Sequence, residues 1–242
     1  MKQGEDGYGQ MLLAALEGRN TIEIVERDDG FIEAAGGPSI YLAPFRRWHP
    51  LDRQALRFVR GRVLDVGCGG GRVSLHLQQR GQEVVGIDIS PGAVEVCRRR
   101  GVRDVRLCSI DDVDESLGVF DTIVMLGNNF GLFASAAKAK RLLRRFQRLT
   151  SDRGRIVAET RDVYLTEDAA HLDYQARNRS RGRMSGQIRI RVRYRDQATP
   201  WFDYLMVSQD ELEGLLDGTG WQLQRVLESG DTYVAIIDKT TS

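Results

Sequence analysis

Val63-Leu64-Asp65-Val66-Gly67-Cys68-Gly69-Gly70-Gly71 runs from four mostly apolar residues into a cluster of glycines. The apolar part reads as a short buried β-strand. Gly71 to Arg80, with Val73, Leu75 and Leu77 among polar residues, reads as a helix. The glycines between them permit positive φ and let a ligand approach the backbone. The helix start adds amides with no intrahelical partner. An ordinary tight turn needs one or two glycines, whereas here they fill four of five positions. A dinucleotide fingerprint, G-x-G-x-x-G, would require a sixth-position glycine, and Arg72 stands there. An NAD-dependent oxidoreductase is therefore the remotest reading.

Outward from this turn the chain alternates between strands and helices. Glu83–Asp88 reads as a second strand. Ser90-Pro91 opens a helix that ends at Gly101, since serine caps free amides and proline suits the first helical position. Further strands are expected within Val102–Cys108, at Phe120–Leu126 and at Arg155–Thr160. A helix over Ser135–Thr150 carries Leu142, Leu143, Phe146 and Leu149 on one face. Such βα alternation predicts a doubly wound parallel sheet. Asp88, at the end of the second strand, falls at the carboxyl edge beside the glycines, where a carboxylate can accept both hydroxyls of a ribose.

Beyond Arg161 the rhythm changes. Asp162–Gly186 is polar and carries no assignable period. Gln187–Arg195 alternates strictly, Ile188, Ile190, Val192 and Tyr194 against four arginines, which predicts a strand with one buried face. With Trp201–Val207 it forms an inserted β-hairpin. Ser208-Gln-Asp-Glu211 is a capping box that starts a helix to Asp217. Trp221–Leu227 and Thr232–Asp238 form a last hairpin. Before the glycine turn, a helix (Tyr8–Glu17), a strand pair (Thr21–Val25 with Phe31–Ala34, around the Asp28-Asp29-Gly30 turn) and a helix (Pro50–Arg60) form a separate layer.

Leu64–Gly71 and Gly86-Ile87-Asp88-Ile89-Ser90-Pro91 together resemble the first two motifs of the class I S-adenosylmethionine-dependent methyltransferases. The resemblance extends more loosely from Arg62 to Asp238. It implies an α/β, Rossmann-like, doubly wound seven-stranded sheet, mostly parallel, with an antiparallel C-terminal hairpin. It also implies S-adenosyl-L-methionine as cofactor and S-adenosyl-L-homocysteine as product. Carried over by position, Asp65, Gly67, Cys68, Gly69 and Gly71 surround the methionine part. Asp88 holds the ribose and Ile89 lies against the adenine. Ser109 and Ile110 stand where the family places an acid and a small apolar residue near the adenine, and Asp111 is the nearby carboxylate. Leu126 and Gly127 form the floor between cofactor and acceptor.

The donor of such a reaction is already activated, so alignment and exclusion of water matter most and no catalytic side chain is obligatory. Gly127-Asn128-Asn129-Phe130 lacks the prolines of amino-methylating nucleic-acid enzymes, and no Pro-Cys pair suggests cytosine-C5 chemistry. Asn128 and Asn129 are candidates to bind a polar acceptor, with Phe130, Phe133, Tyr41 and Trp201 as candidate walls. A turn role for the asparagines and a core role for the rings are equally open. His49 and His171 are candidate bases that read more simply as loop residues.

Composition limits the alternatives. The 242 residues carry 35 basic and 34 acidic side chains, a net charge of +1, with 41% hydrophobic residues, which fits an ordinary globular chain. Three cysteines without C-x-x-C spacing suggest neither a disulfide framework nor zinc, and favour a cytoplasmic setting. The first ten residues do not read as a signal peptide, and no apolar run approaches a membrane span. The neutrality is a sum of unlike parts: residues 1–50 hold 5 basic and 8 acidic side chains, and 161–200 hold 9 and 5. Arg177–Arg195 contains eight arginines and no acid. Strict alternation favours an exposed strand face protected by charge. A clamp for an anionic small substrate comes second and an RNA stripe third. The expected organisation is an N-terminal lid over residues 1–60 and a methyltransferase domain over 61–242, with an insertion at about 161–200. The expected activity is methyl transfer to an O or N nucleophile of a small-molecule acceptor, by a monomer or homodimer. An RNA methyltransferase or a non-catalytic cofactor-binding protein is the alternative.

Overall fold

The computed structural model describes residues 4–240. Met1–Gln3 of the expected N-terminal layer and the last two residues of the expected C-terminal domain lie outside the described residues. Asp6 caps the first helix, α1 (Gly7–Leu16), by accepting from the Gly9 amide at 3.0 Å. Strands β1 (Glu23–Arg27) and β2 (Ile32–Ala35) pair antiparallel around the aspartate-glycine turn. They continue to Arg27, beyond the expected Val25, because the Arg27 amide bonds Phe31 and its guanidinium grips Asp29 at 2.8 and 2.9 Å. Helix α2 (Pro38–Tyr41) is a single turn. Helix α3 (Pro50–Ala55) is shorter than expected and tightens into a 3-10 turn at Leu56–Phe58.

The βα rhythm then follows the sequence pattern. Strand β3 (Val63–Val66) leads through the glycines to helix α4 (Arg72–Gln79), and strand β4 (Val84–Asp88) to helix α5 (Pro91–Arg99). Both strands are buried along their whole length, as expected of a parallel sheet covered on both faces. Strand β5 (Val105–Leu107), strand β6 (Phe120–Met125), helix α6 (Ala136–Arg148) and strand β7 (Thr150–Arg161) follow. Helix α7 (Ala169–Ser180) occupies the stretch that carries no sequence period. Its buried positions are Tyr174, Gln175 and Asn178, so two of three are polar. The Asn178 amide is spent on the carbonyls of Ser185 and Gln187 at 3.1 and 2.7 Å. Strands β8 (Gln187–Tyr194), β9 (Gln197–Ala198) and β10 (Phe202–Leu205), helix α8 (Gln209–Leu216) with its capping box, and strands β11 (Trp221–Ser229) and β12 (Thr232–Lys239) complete the chain.

Seven strands form one sheet in the order β11-β12-β7-β6-β3-β4-β5. The pairs β3/β4, β4/β5 and β6/β7 are parallel, and β12 is antiparallel to both β7 and β11. This is the Rossmann-like, mostly parallel sheet with a C-terminal hairpin. A second, antiparallel sheet places β1 between β2 and β8, with β9 returning on β8. Glu26 of β1 there binds Arg191 at 2.9 and 3.0 Å and Arg193 at 3.0 Å. Acidic N-terminal strand and arginine strand thus neutralise each other in part.

The residues group into two compact units. Among the described residues, one comprises 4–49, Arg62–Val113 and Arg189–Phe202; the other comprises Pro50–Gly61, Asp114–Ile188 and 203–240. In the first, α1 packs on α5 through glycine: a Cβ on Gly92 would lie 2.7 Å from the Gly9 backbone. In the second, the Trp221 indole donates to Leu143 O at 2.8 Å and the Lys239 ammonium binds carbonyls of Gln147 and Thr150 at 2.8 and 3.0 Å, closing the end of α6. Among the described residues no helix is long and apolar enough to cross a membrane. Gly92→Ala should force α1 off α5, lowering stability by about 1–3 kcal/mol in chemical denaturation and raising amide exchange across α1.

Candidate functional site

The glycine turn is held by β4. The amides of Gly67 and Cys68 both donate to Ile87 O, at 2.9 and 3.0 Å. With Gly67 and Gly69 at φ +69° and +53°, a conformation costly for other residues, the Gly69 amide is aimed at Asp88 Oδ2, 2.9 Å away. The Ser90 amide takes Oδ1, also at 2.9 Å. Asp88 is buried, and burial pushes its carboxyl up to about 6 against the pull of these amides, with the nearby Asp6 charge adding to the rise. The Ile89 amide adds a further backbone hydrogen bond to this carboxylate. Beside it Ile89 is 58% exposed, an apolar side chain left open at the strand end. Gly71, at φ +74°, caps α4 with no side-chain hydrogen bond, so the first amides of that helix carry no capping group.

The other positions singled out in the first unit differ in character. Asp65 lies beneath the turn: Ser74 Oγ donates to it at 2.6 Å, and burial raises its carboxyl to about 6. The Cys68 thiol is buried 3.8 Å from that of Cys97, which donates to Gly69 O at 3.1 Å. Ser109 Oγ accepts from the Asp111 amide at 3.2 Å, Ile110 is buried, and the Cys108 amide ties this loop to Asp88 O at 2.9 Å. Tyr41 donates to Glu23 at 2.8 Å, and burial raises that carboxyl. Trp201 stacks under the Arg191 guanidinium, 4.6 Å from its ring centroid.

Leu126–Phe130 belong to the second unit. Glu159 accepts from the amides of Gly127 and Asn128 at 2.9 and 3.2 Å, and the Tyr204 hydroxyl donates to Asn128 O. Asn128 is held at φ +65°, and its buried Oδ1 has no hydrogen-bond partner among the described residues. Leu126 is buried. Phe130 is fully buried, edge-on to Phe133 with centroids 4.8 Å apart, and Phe133 packs on to Phe146. His49 is exposed and His171 half-buried. Among the described residues no group of three His, Cys, Asp or Glu could hold a metal ion.

Sequence reasoning missed three residues at the turn. Asp6, besides capping α1, accepts from Ser90 Oγ at 2.7 Å and the Gly92 amide at 2.8 Å. Arg100 donates to the carbonyls of Gly70 and Leu42. Tyr8 lies over Gly69, where a Cβ would meet its hydroxyl at 2.5 Å. The partners of Asp6 are 84 and 86 residues away, and no local pattern signals such a contact.

A family model described as a methyltransferase domain matches residues 63–154. A ubiquinone biosynthesis O-methyltransferase of Xanthomonas oryzae pv. oryzae is 34% identical over 96 residues, covering 34% of this chain and 40% of the relative. Its counterpart in Xanthomonas euvesicatoria pv. vesicatoria is 40% identical over the same length and share. The match spans about two fifths of these curated relatives. A crystal structure of an S-adenosylmethionine-dependent methyltransferase from Bacteroides fragilis, in complex with S-adenosyl-L-homocysteine, superposes with a TM-score of 0.83 at 26% identity, covering 99% of this chain and 97% of that one. The CcbJ methyltransferase from Streptomyces caelestis, at 15% identity and a TM-score of 0.64, shares the fold over 98% and 99% of the two chains. Glu159→Ala should release the Gly127 and Asn128 amides. Hydrogen exchange at residues 127–128 is expected to rise at least tenfold while exchange in β3 and β4 stays unchanged.

Proposed function

We propose that this chain, which matches a methyltransferase-domain model over residues 63–154 and is similar over 99% of its length to an S-adenosylmethionine-dependent methyltransferase, is itself such an enzyme and transfers the sulfonium methyl group to an oxygen or nitrogen nucleophile of a small-molecule acceptor by in-line displacement. The observation that carries this reading is the whole-chain likeness to an enzyme crystallised with S-adenosyl-L-homocysteine. The residues at the turn fit that cofactor. The Asp88 carboxylate is the acceptor for the ribose hydroxyls, Ile89 offers an open apolar face to the adenine, and a turn with four glycines in five positions admits the methionine part. Ser109, Ile110 and Asp111 border the adenine in this reading, and Asp65 supports the turn through Ser74.

S-adenosylmethionine supplies an activated methyl group, so the protein has to bind, orient and exclude water. Asn128 is the acceptor-side candidate with a specific observation behind it. Its Oδ1 is a buried acceptor without a donor, which costs free energy until a hydroxyl or amine fills it. The name of the matched relatives supports an oxygen nucleophile. The RNA alternative loses support where Glu26 neutralises Arg191 and Arg193. The expected N-terminal lid and insertion stand in this reading as the acceptor-side elements.

Incubation with radiolabelled S-adenosylmethionine and a panel of small phenols, hydroxy acids and amines should give labelled product and S-adenosyl-L-homocysteine. Labelling of RNA alone would favour the alternative, and cofactor binding without transfer to any acceptor would favour a binding protein. Asp88→Asn should weaken S-adenosyl-L-homocysteine binding at least tenfold by calorimetry. The carboxyl titrates near 6, so it is ionised above that pH and protonated below. Wild-type affinity should be flat above pH 7 and fall through pH 6, with the Asp88 contribution absent in the variant.

A further inference from the structure

Glu23 is a buried carboxylate that, among the described residues, no cation neutralises. It is 4% exposed at the start of β1, and its partners are the Tyr41 hydroxyl, donating at 2.8 Å, and the Gly37 amide. Arg193, opposite the neighbouring Ile24 on β8, binds Glu26 instead. Burial raises the Glu23 carboxyl above its ordinary range, and Glu33 of β2 adds to the rise. Such an acid costs free energy to keep ionised and gains by taking up a proton.

The fold brings this pair to the glycine turn. Tyr41 ends α2, and the chain there lies against the turn: a Cβ on Gly70 would meet Leu42 Cδ2 at 2.7 Å and Tyr41 O at 2.9 Å. Arg100 ties the two segments together by donating to the carbonyls of Gly70 and Leu42. The Tyr41 ring meets that of Tyr8 of α1 edge-on, centroids 5.5 Å apart, and Tyr8 covers Gly69. Both tyrosines are half-buried, so the accessible member of the acid–phenol pair is the phenol.

Methyl transfer to a hydroxyl releases a proton that has to go somewhere. A neutral amine attacks with its lone pair, but an alcohol or phenol is a weak nucleophile until a base takes its proton. Negative groups gather at the turn: after burial, Tyr41, Asp88, Glu23 and Cys68 all push Tyr8 toward its protonated form. The same surroundings disfavour an acceptor that arrives as an anion, so its proton has to be taken during transfer. A hydroxyl that donates one bond is also an acceptor, which lets the Tyr41 oxygen receive that proton while passing its own to Glu23.

Resting on the methyltransferase reading above, we propose that the Tyr41–Glu23 pair is the proton acceptor of the reaction and that the methyl acceptor is a neutral hydroxyl compound. The O–H bond of that compound breaks as its oxygen bonds the methyl carbon. The S–C bond breaks, and its electron pair stays on sulfur as the thioether. The released proton passes to Tyr41 and the Tyr41 proton to Glu23, which ends as a neutral carboxylic acid and later returns the proton to solvent. One positive and one negative charge disappear together, which a buried setting favours. Tyr41 is the catalytic residue, and Glu23 is a positioning residue that acts through it and stores the proton.

The test supplies radiolabelled S-adenosylmethionine at saturation, which keeps the ionisation of Asp88 out of the profile, with catechol, benzyl alcohol, aniline and benzylamine as acceptors. A labelled methyl ether is expected from catechol or benzyl alcohol. Wild-type kcat should fall as pH drops through the raised Glu23 carboxyl range and level off above it, because the ionised acid is the active form. Glu23→Gln keeps an acceptor for the Tyr41 hydroxyl; it should remove this acid limb and lower kcat about a hundredfold, as for loss of a general base, with S-adenosyl-L-homocysteine affinity within about twofold of wild type. Tyr41→Phe should show the same loss, and if it fails to fold Glu23→Gln alone decides. An acid limb retained in Glu23→Gln, an unchanged kcat, a loss confined to KM, or labelling of the amines only overturns the proposal. No labelling of any compound overturns instead the methyltransferase reading on which it rests.

Discussion

Backbone amides, foremost those of Gly69 and Ser90, with Ile89 beside them, hold the buried carboxylate of Asp88. A buried charge must be paired or hydrogen-bonded, and here amides do the work that a lysine or arginine does elsewhere. That choice sets conditions on its neighbours. The Gly69 amide points at Asp88 because the turn adopts positive φ at Gly67 and Gly69. The Ser90 amide is in place because Ser90 caps α5 through the Ala93 amide. Asp6 then takes the Ser90 hydroxyl and the Gly92 amide, bringing a second acid close to the first. The like charges raise the Asp88 carboxyl beyond what burial alone does.

The arginine strand shows how charge read along a chain differs from charge met in space. Eight arginines within Arg177–Arg195 suggest a surface for anions. In the folded chain two of them converge on Glu26, one of these covers Trp201, and Arg179 and Arg183 contact Ser185 and Asp203. The alternation has the simpler cause that one face of β8 is buried through Ile190 and Val192. Its other edge partner, β1, brings the acid that the stripe itself lacks.

The βα core was legible because each element carries its own local cause. Val63–Val66 is mostly apolar, Ser90-Pro91 is a helix start, α6 has a one-sided run of leucines, and Ser208 with Glu211 makes a capping box. Helix α7 was not legible, because its buried face is largely polar and its amphipathic period correspondingly weak. The exact ends of β1 and α3 depended on contacts of Arg27 and on a 3-10 turn. The roles of Asp6, Tyr8 and Arg100 had no local signature at all.

By itself the sequence determined the doubly wound sheet, the glycine turn and the acid at the end of the next strand. Those follow from periodicity, φ preference and helix capping, which act over a few residues. Only the tertiary structure decided that α1 clasps α5 beside Asp88, that Tyr8 covers Gly69 and that β1 neutralises β8. Each of those is a hydrogen bond, van der Waals contact or ion pair between residues far apart in the chain. Their energies depend on a geometry that no stretch of sequence contains until the sheet has formed.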